Sequence, residues 1–170
     1  LIETVSENTS DGIVAPLFYL LIGGPPLAMA YKALNTLDSM VGYRNDRYRH
    51  LGWASARGDD LANLIPSRLT ALLFIVSSII LRKNWTGAWR VTWRDGRKNP
   101  SPNSGYPEAG MAGALGVQLG GKNFYFGRVE EKPLIGEPAR SIDRNVAKES
   151  LRLMIVNSLI AVIIVILVIV

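Results

Sequence analysis

The last seventeen residues of the chain, 154–170 (MIVNSLIAVIIVILVIV), contain no charged side chain. At about 1.5 Å per residue, a helix of this length nearly crosses a hydrocarbon core of about 30 Å, and Leu151 and Leu153 lengthen it. The segment therefore predicts a transmembrane helix. The chain starts at Leu1 rather than at a methionine, so we expect residues 1–170 to be one membrane-embedded domain from the C-terminal portion of a longer protein, with further N-terminal membrane segments.

Two other apolar stretches predict irregular membrane helices. Residues 14–34 are long enough to span a bilayer, but Gly23-Gly24-Pro25-Pro26 interrupts them and predicts a broken helix. Residues 69–81 are too short to span, and extending them towards Leu61 brings in Pro66 and Arg68, which indicates a re-entrant segment. The expected fold class is all-α: a polytopic integral membrane protein with broken or re-entrant helices.

Basic residues predict which segments face the cytoplasm. Residues 82–98 carry six basic residues against one acidic residue, and their three tryptophans are spaced four apart. Such a segment could stack on nucleic-acid bases, but beside membrane helices it favours a cytoplasmic amphipathic helix on the bilayer, and no nucleic-acid partner is expected. A second basic stripe predicts a juxtamembrane amphipathic helix before the C-terminal span, and comprises Arg140, Arg144, Lys148 and Arg152. The small residues of 109–121 predict a segment packed closely against protein.

Composition and failed motifs limit the chemistry. The chain has no cysteine, which excludes disulfides, thiol nucleophiles and cysteine-based zinc sites and leaves oxygen ligands for hard cations. The single histidine, His50, lies in a basic loop and is interpreted as a surface or interface residue. Gly116, Gly121 and Lys122 have the spacing of a P-loop, but Asn123 follows where the motif requires Ser or Thr, so the match is interpreted as chance.

A polar run, residues 3–12 (ETVSENTSDG), precedes the first apolar stretch. If it were helical, Glu3, Glu7 and Asp11 would share one face with Asn8 beside them, as on a cation-binding or phosphate-handling surface. Alternatively, residues 8–11 cap a helix that starts near Val14. From this run alone the capping interpretation is favoured.

Residues 31–68 are the richest in polar side chains. On a helix, Lys32, Asn35 and Ser39 share a face with Asp38 close by. Asp59, Asp60 and Asn63 supply oxygen ligands of the type that hold Mg²⁺ together with substrate phosphates. The basic residues available to pair with those phosphates are Lys32, Arg44, Arg47, Arg57 and Arg68, although a solvated loop of mixed charge would have a similar composition.

A proline-rich segment, residues 100–110 (PSPNSGYPEAG), predicts a rigid loop with Glu108 near its end. Such a loop either holds binding groups or only turns the chain, and composition does not distinguish the two.

Three blocks of this sequence, residues 3–48, 52–73 and 95–121, resemble the CobD/CbiB family of adenosylcobinamide-phosphate synthases in the same order. The resemblance extends over about residues 2–126. Members of that family are considerably longer, with membrane segments before the point where this chain starts. Asn99 occupies a position where a histidine is expected.

The resemblance implies an integral membrane ligase of cobalamin biosynthesis. It would use ATP and Mg²⁺ to join a carboxylate of adenosylcobyric acid to (R)-1-aminopropan-2-ol or its O-phosphate, in the cell inner membrane, as a multi-pass protein with mainly cytoplasmic polar loops. Other candidate partners are the lipid bilayer, an N-terminal half, further cobalamin-assembly proteins and a second copy of the chain. Two other classes stay open: a corrinoid transporter or permease, and a non-catalytic membrane assembly subunit.

The residues above are assigned to roles on that basis, as hypotheses. The catalytic set is Glu7, Lys32, Asp38 and Arg57; the Mg²⁺ ligands are Asp11, Asp59 and Asp60; the substrate- and phosphate-binding set is Asn8, Asn35, Arg44, Asn63, Arg68, Asn103, Ser104 and Glu108.

Overall fold

The computed structural model describes residues 1–41, 49–125 and 128–169. Arg44, Arg47 and the side chain of His50 lie outside the described part. The elements, in chain order, are α1 (Ile2–Thr9), a π-helical turn (Ser10–Val14), α2 (Ala15–Val41), α3 (Arg49–Ala62), α4 (Leu64–Ile80), α5 (Trp85–Asp95), α6 (Gly105–Leu115), β1 (Gln118–Tyr125), β2 (Arg128–Gly136) and α7 (Arg144–Ile169).

Helix α6 lies at the centre of the molecule, and every one of its residues is buried. Its glycines and alanines allow neighbouring helices to approach closely, and α1, α4, α5 and α7 pack around it. The largest fully buried side chains nearby include Phe74, Met111, Leu115 and Leu153. The prediction that the small-residue segment packs against protein is confirmed for α6.

Two helical segments, Ile2–Met40 and Arg144–Ile169, are long and apolar enough to cross a membrane, and the bent pair Gly52–Ala62 and Leu64–Ile80 would make a third if it forms one span. The long N-terminal segment breaks where the sequence predicted it: Gly24 has φ +67°, which an L-residue rarely adopts. The bend in the pair is 46°, as in a broken span or a re-entrant loop.

The all-α prediction is wrong in one place. β1 and β2 form an antiparallel hairpin in which Gln118 pairs with Gly136 and the buried Leu119 with the buried Ile135. The register shifts between Leu119 and Gly121, where two consecutive glycines have positive φ and accommodate a bulge. The P-loop resemblance was correctly set aside, because Gly116 ends α6 and Gly121 lies within β1.

The ends of three predicted elements also differ. The capping interpretation of residues 8–11 is wrong, because α1, the π-helical turn and α2 follow one another without a new helix start near Val14. Arg140 precedes α7, whose first turn is capped by Asp143 accepting a hydrogen bond from the Val146 amide at 2.8 Å. The proline-rich loop ends at Ser104, so Glu108 lies on α6 rather than in a loop.

Candidate functional site

A polar cavity of about 590 Å³ lies where the N-terminal helical segment, the end of α2, α3 and the start of α6 meet. The residues that line it are Glu7, Asn8, Ser10, Asp11, Asp38, Ala56, Asp59, Asp60, Asn63, Ser101, Asn103, Ser104 and Pro107. Nearly all of them are carboxylates, amides or hydroxyls. The fold therefore brings together three polar segments that are far apart in the sequence.

The lining is strongly acidic. It contains five carboxylates and no lysine or arginine among the residues that the structure describes. A cavity of this charge favours cations and repels a bare phosphate group. A phosphate-bearing ligand would therefore enter as its complex with a divalent cation.

The N-terminal polar run contributes two of these carboxylates. Glu7 lies near the end of α1 and Asp11 lies in the π-helical turn, and both face the cavity. Single π-helical turns within longer helices are frequent at functional sites because they re-aim side chains. Two of the three carboxylates of the predicted binding surface thus line the cavity, whereas Glu3 does not. A role of this surface in binding a cation or phosphate stays a prediction.

Asp59 is held by amide groups on both sides. Its Oδ1 accepts a hydrogen bond from Asn35 Nδ2 at 3.2 Å, and its Oδ2 accepts one from Asn63 Nδ2 at 3.0 Å. Lys32 Nζ in turn donates to Asn35 Oδ1 at 3.2 Å. Asn35 therefore holds Asp59 in place, and neither Lys32 nor Asn35 belongs to the cavity lining.

Asn103 joins the proline-rich loop to the junction of α3 and α4. Its Nδ2 donates to the Asp60 carbonyl at 2.7 Å, and its Oδ1 accepts from Arg68 Nη1 at 3.4 Å. The Arg68 guanidinium also donates to the Leu64 carbonyl at 2.6 Å and lies 4.3 Å from the centre of the Tyr106 ring. In this arrangement Arg68 holds the loop through Asn103 and Pro102 and is not part of the cavity lining.

Glu108 lies beside the cavity, 4% exposed, and Asn99 Nδ2 donates to its Oε2 at 3.1 Å. Burial, reinforced by the neighbouring charge of Glu7, raises the pKa of Glu108 to about 7. Asn99, the position where histidine was expected, is therefore a hydrogen-bond partner of this carboxyl. Next to it, Glu3 accepts hydrogen bonds from Lys132 Nζ at 3.3 Å and the Gly120 amide at 3.2 Å, which docks the hairpin.

The structure thus divides the predicted site residues into groups. Those that line the cavity are Glu7, Asn8, Asp11, Asp38, Asp59, Asp60, Asn63, Asn103 and Ser104; those beside it are Lys32, Asn35, Arg57, Arg68 and Glu108. Arg57 is exposed and lies close enough to Asp60 for a favourable electrostatic interaction. Sequence reasoning missed Ala56, Ser101 and Pro107 as lining residues, and it considered Ser10 only as a cap.

The oxygen atoms of the cavity lining are of the kind that bind Mg²⁺. Carboxylate and amide oxygens are the ligands of hard cations, and Asp11, Asp59 and Asp60 all line the cavity. Within the described ranges, however, no three acidic or histidine side chains converge to hold a metal ion by themselves. This suits an ion bound through one or two carboxylates and the oxygens of a substrate phosphate.

Comparison with known proteins gives a consistent family match. The model of the family described as CobD/Cbib protein matches residues 1–154. The chain is similar to proteins called Cobalamin biosynthesis protein CobD from several bacteria. The protein from Geobacter metallireducens is 61% identical over 153 residues, which are 90% of this chain and 48% of the relative. The protein from Klebsiella pneumoniae subsp. pneumoniae is 53% identical over 161 residues (95% of this chain, 50% of the relative), and that from Listeria monocytogenes serovar 1/2a is 49% identical over 160 residues (94% of this chain, 51% of the relative). The chain spans about half the length of these curated relatives. No solved structure matches the chain significantly.

Proposed function

The chain belongs to the CobD/CbiB family, and we propose that it forms the C-terminal half of a membrane-embedded ligase of cobalamin biosynthesis. The proposed reaction forms an amide between a carboxylate of adenosylcobyric acid and the amine of (R)-1-aminopropan-2-ol or its O-phosphate. The enzyme would act in the inner membrane and use ATP and Mg²⁺. The observation that carries the proposal is the acidic, amide-rich cavity, because its lining suits an ammonium group and a metal–phosphate complex.

Amide formation requires activation of the carboxylate, because an oxide-like oxygen is a poor leaving group. ATP supplies a phosphoryl or adenylyl group that leaves with that oxygen, and Mg²⁺ neutralises charge on the phosphates. The new bond is the C–N bond of the amide, and the amine loses a proton as it forms. Both activation routes are compatible with the cavity.

Each part of the cavity has a proposed task. Asp59, together with Asp11 or Asp60, would hold the metal ion along with oxygens of the substrate phosphate. Asp38 and Glu7 attract the ammonium group of the amino alcohol and accept its proton. Asn8, Asn103 and Ser104 donate and accept hydrogen bonds that orient amide and phosphate groups, and Asn63 holds Asp59 in place. Lys32 and Arg57, at the edge, reduce the net negative charge that a phosphate meets on approach.

The test uses the full-length protein in nanodiscs with adenosylcobyric acid, aminopropanol phosphate and Mg-ATP. Corrinoid mass and nucleotide release are followed together. We expect a product of amide mass that forms in step with ADP or AMP, and the nucleotide identifies the activation route. Folded protein that gives no mass change would overturn the proposal, and uptake of corrinoid into sealed vesicles would support the permease instead.

A further inference from the structure

Tyr31 lies behind the cavity and does not line it. Its side chain is 3% exposed, and its ring stacks on Tyr19 with the ring centres 5.0 Å apart. A buried phenol hydroxyl requires a hydrogen-bond partner. Here the hydroxyl donates to Asn63 Oδ1 at 2.9 Å and lies 3.3 Å from the carbonyl oxygen of Asp11 in the π-helical turn.

This hydrogen bond determines which way the Asn63 amide points. Asn63 is 1% exposed, so its two ends must both find partners in the protein. Because the Tyr31 hydroxyl donates to the oxygen end, the nitrogen end faces Asp59 and donates to Oδ2 at 3.0 Å. With the amide reversed, its oxygen would face the Asp59 carboxylate and repel it.

Asp59 consequently has a fixed orientation. Each of its oxygens accepts one amide N–H, from Asn35 on α2 and from Asn63 between α3 and α4. Each carboxylate oxygen keeps further lone pairs for a ligand in the cavity that Asp59 lines. A carboxylate held in this way pays less ordering entropy when it binds a cation.

We propose that Tyr31 is a positioning residue for Asp59: through Asn63, its hydroxyl holds the carboxylate in the orientation that binds a divalent cation. This inference rests on the proposed function only where it assigns the bound cation a use in amide formation. The arrangement resembles the outer hydrogen bonds that orient carboxylate and histidine ligands in metal sites.

Tyr19 offers a matched control. It forms the other half of the aromatic stack, and its hydroxyl donates to the Ala62 carbonyl at 2.8 Å, at the end of α3. Tyr19→Phe and Tyr31→Phe therefore each remove one hydroxyl from the same stack beside the same helix end. Only Tyr31→Phe removes a partner of the Asn63 amide.

The experiment measures binding of Mn²⁺, as a probe for Mg²⁺, to the full-length protein in nanodiscs by electron paramagnetic resonance. We expect Tyr31→Phe to weaken Mn²⁺ binding about tenfold and Tyr19→Phe to leave it within about twofold of wild type. Asn63→Leu removes both the acceptor for Tyr31 and the donor to Asp59 without adding a charge, so it should weaken binding at least as much as Tyr31→Phe. Thermal unfolding checks that the variants are folded.

Three results would overturn the proposal: wild-type protein that binds no Mn²⁺, equal weakening by both tyrosine variants, or a Tyr31→Phe protein that binds Mn²⁺ as wild type does. None of these measurements requires ligase activity. Failure to form the amide product, with the tenfold difference intact, would remove the proposed function and leave the positioning role standing.

Discussion

The backbones of Gly87 and Gly113 touch where α5 crosses α6. A Cβ atom on Gly87 would lie 2.7 Å from the Gly113 carbonyl oxygen, and one on Gly113 would collide with the Gly87 carbonyl. The contact places α5 directly against the buried α6, whose first turn carries Pro107 and Glu108 next to the cavity. The two glycines at this crossing thus set the distance between α5 and the cavity.

We expect Gly113→Ala to lower the free energy of unfolding by about 2 kcal/mol, because backbone atoms of α5 must move to admit the methyl group. Denaturant unfolding in detergent measures the change. Gly110→Ala on the same helix is the control, since its nearest contact would be the Thr92 hydroxyl at 3.4 Å, a distance that a small adjustment relieves. Equal losses in the two variants would show that the crossing is not closely packed at Gly113.

The buried Asp95 fastens the end of the hairpin to α5, and Asp95→Asn should loosen it. Its carboxylate accepts hydrogen bonds from Arg94 at 2.7 Å, Lys98 at 2.7 Å and the Gly136 amide at 2.9 Å. Removing the charge weakens two ionic hydrogen bonds, so we expect a loss of about 2 kcal/mol at neutral pH, measured by unfolding.

This loss should depend on pH in a defined direction. Although burial disfavours the charged form, the bonds from Arg94, Lys98 and Gly136 hold the pKa of Asp95 well below its usual range. The pKa of Asp95 is lower in the folded protein than in the unfolded chain, where it is about 3.9, so the ionised carboxylate stabilises the fold above that pH. This stabilisation is lost as the pH falls from about 3.9 towards the pKa in the folded protein. The difference between wild type and Asp95→Asn should therefore be constant above about pH 5 and shrink below pH 4; a constant difference down to pH 2 would contradict the assignment.

The stability difference between Glu108→Gln and wild type should depend on pH in the opposite direction. Burial and the charge of Glu7 raise the pKa of Glu108 to about 7, so the folded protein binds a proton that the unfolded chain releases near pH 4.5. The contribution of this proton to the free energy of unfolding is then at its maximum below about pH 4.5 and is lost as the pH rises to 7. We expect Glu108→Gln to be more stable than wild type by about 3 kcal/mol at pH 8 and equal to it at pH 4. Equal stability of the two proteins at pH 8 would show that Glu108 ionises normally.

Local patterns predicted the parts of the site better than their arrangement. The i, i+1, i+4 spacing of Asp59, Asp60 and Asn63 is a property of one helix end, and the structure retains it as an oxygen cluster on the cavity. The role of Arg68 was less accessible, because its acceptors on Pro102 and Asn103 lie more than thirty residues away. Charge and spacing alone do not show which arginines already donate hydrogen bonds to backbone carbonyls.

The hairpin and Tyr31 were missed for different reasons. The strand containing Gly120 and Gly121 lacks the β-branched alternation that normally marks a strand, and its pairing with β2 depends on tertiary packing of Leu119 and Ile135. Tyr31 lies in an apolar stretch and looks like a core residue. Its function depends on a hydrogen bond to Asn63, thirty-two positions later, which no local pattern encodes.

Asp59→Asn tests the centre of the proposed site. The substituted amide keeps the size of the side chain but removes its charge, and it brings an N–H₂ group towards the donors of Asn35 and Asn63. We expect kcat/KM for amide formation to fall at least about 100-fold and the Mg²⁺ concentration for half-maximal rate to rise. Asp143→Asn is the matched control, because asparagine also caps a helix and Asp143 lies at the start of α7, outside the cavity lining. If Asp59→Asn retained the rate and the Mg²⁺ dependence of Asp143→Asn, Asp59 would not hold the metal ion, and the acidic cavity would have to act on the ammonium substrate alone.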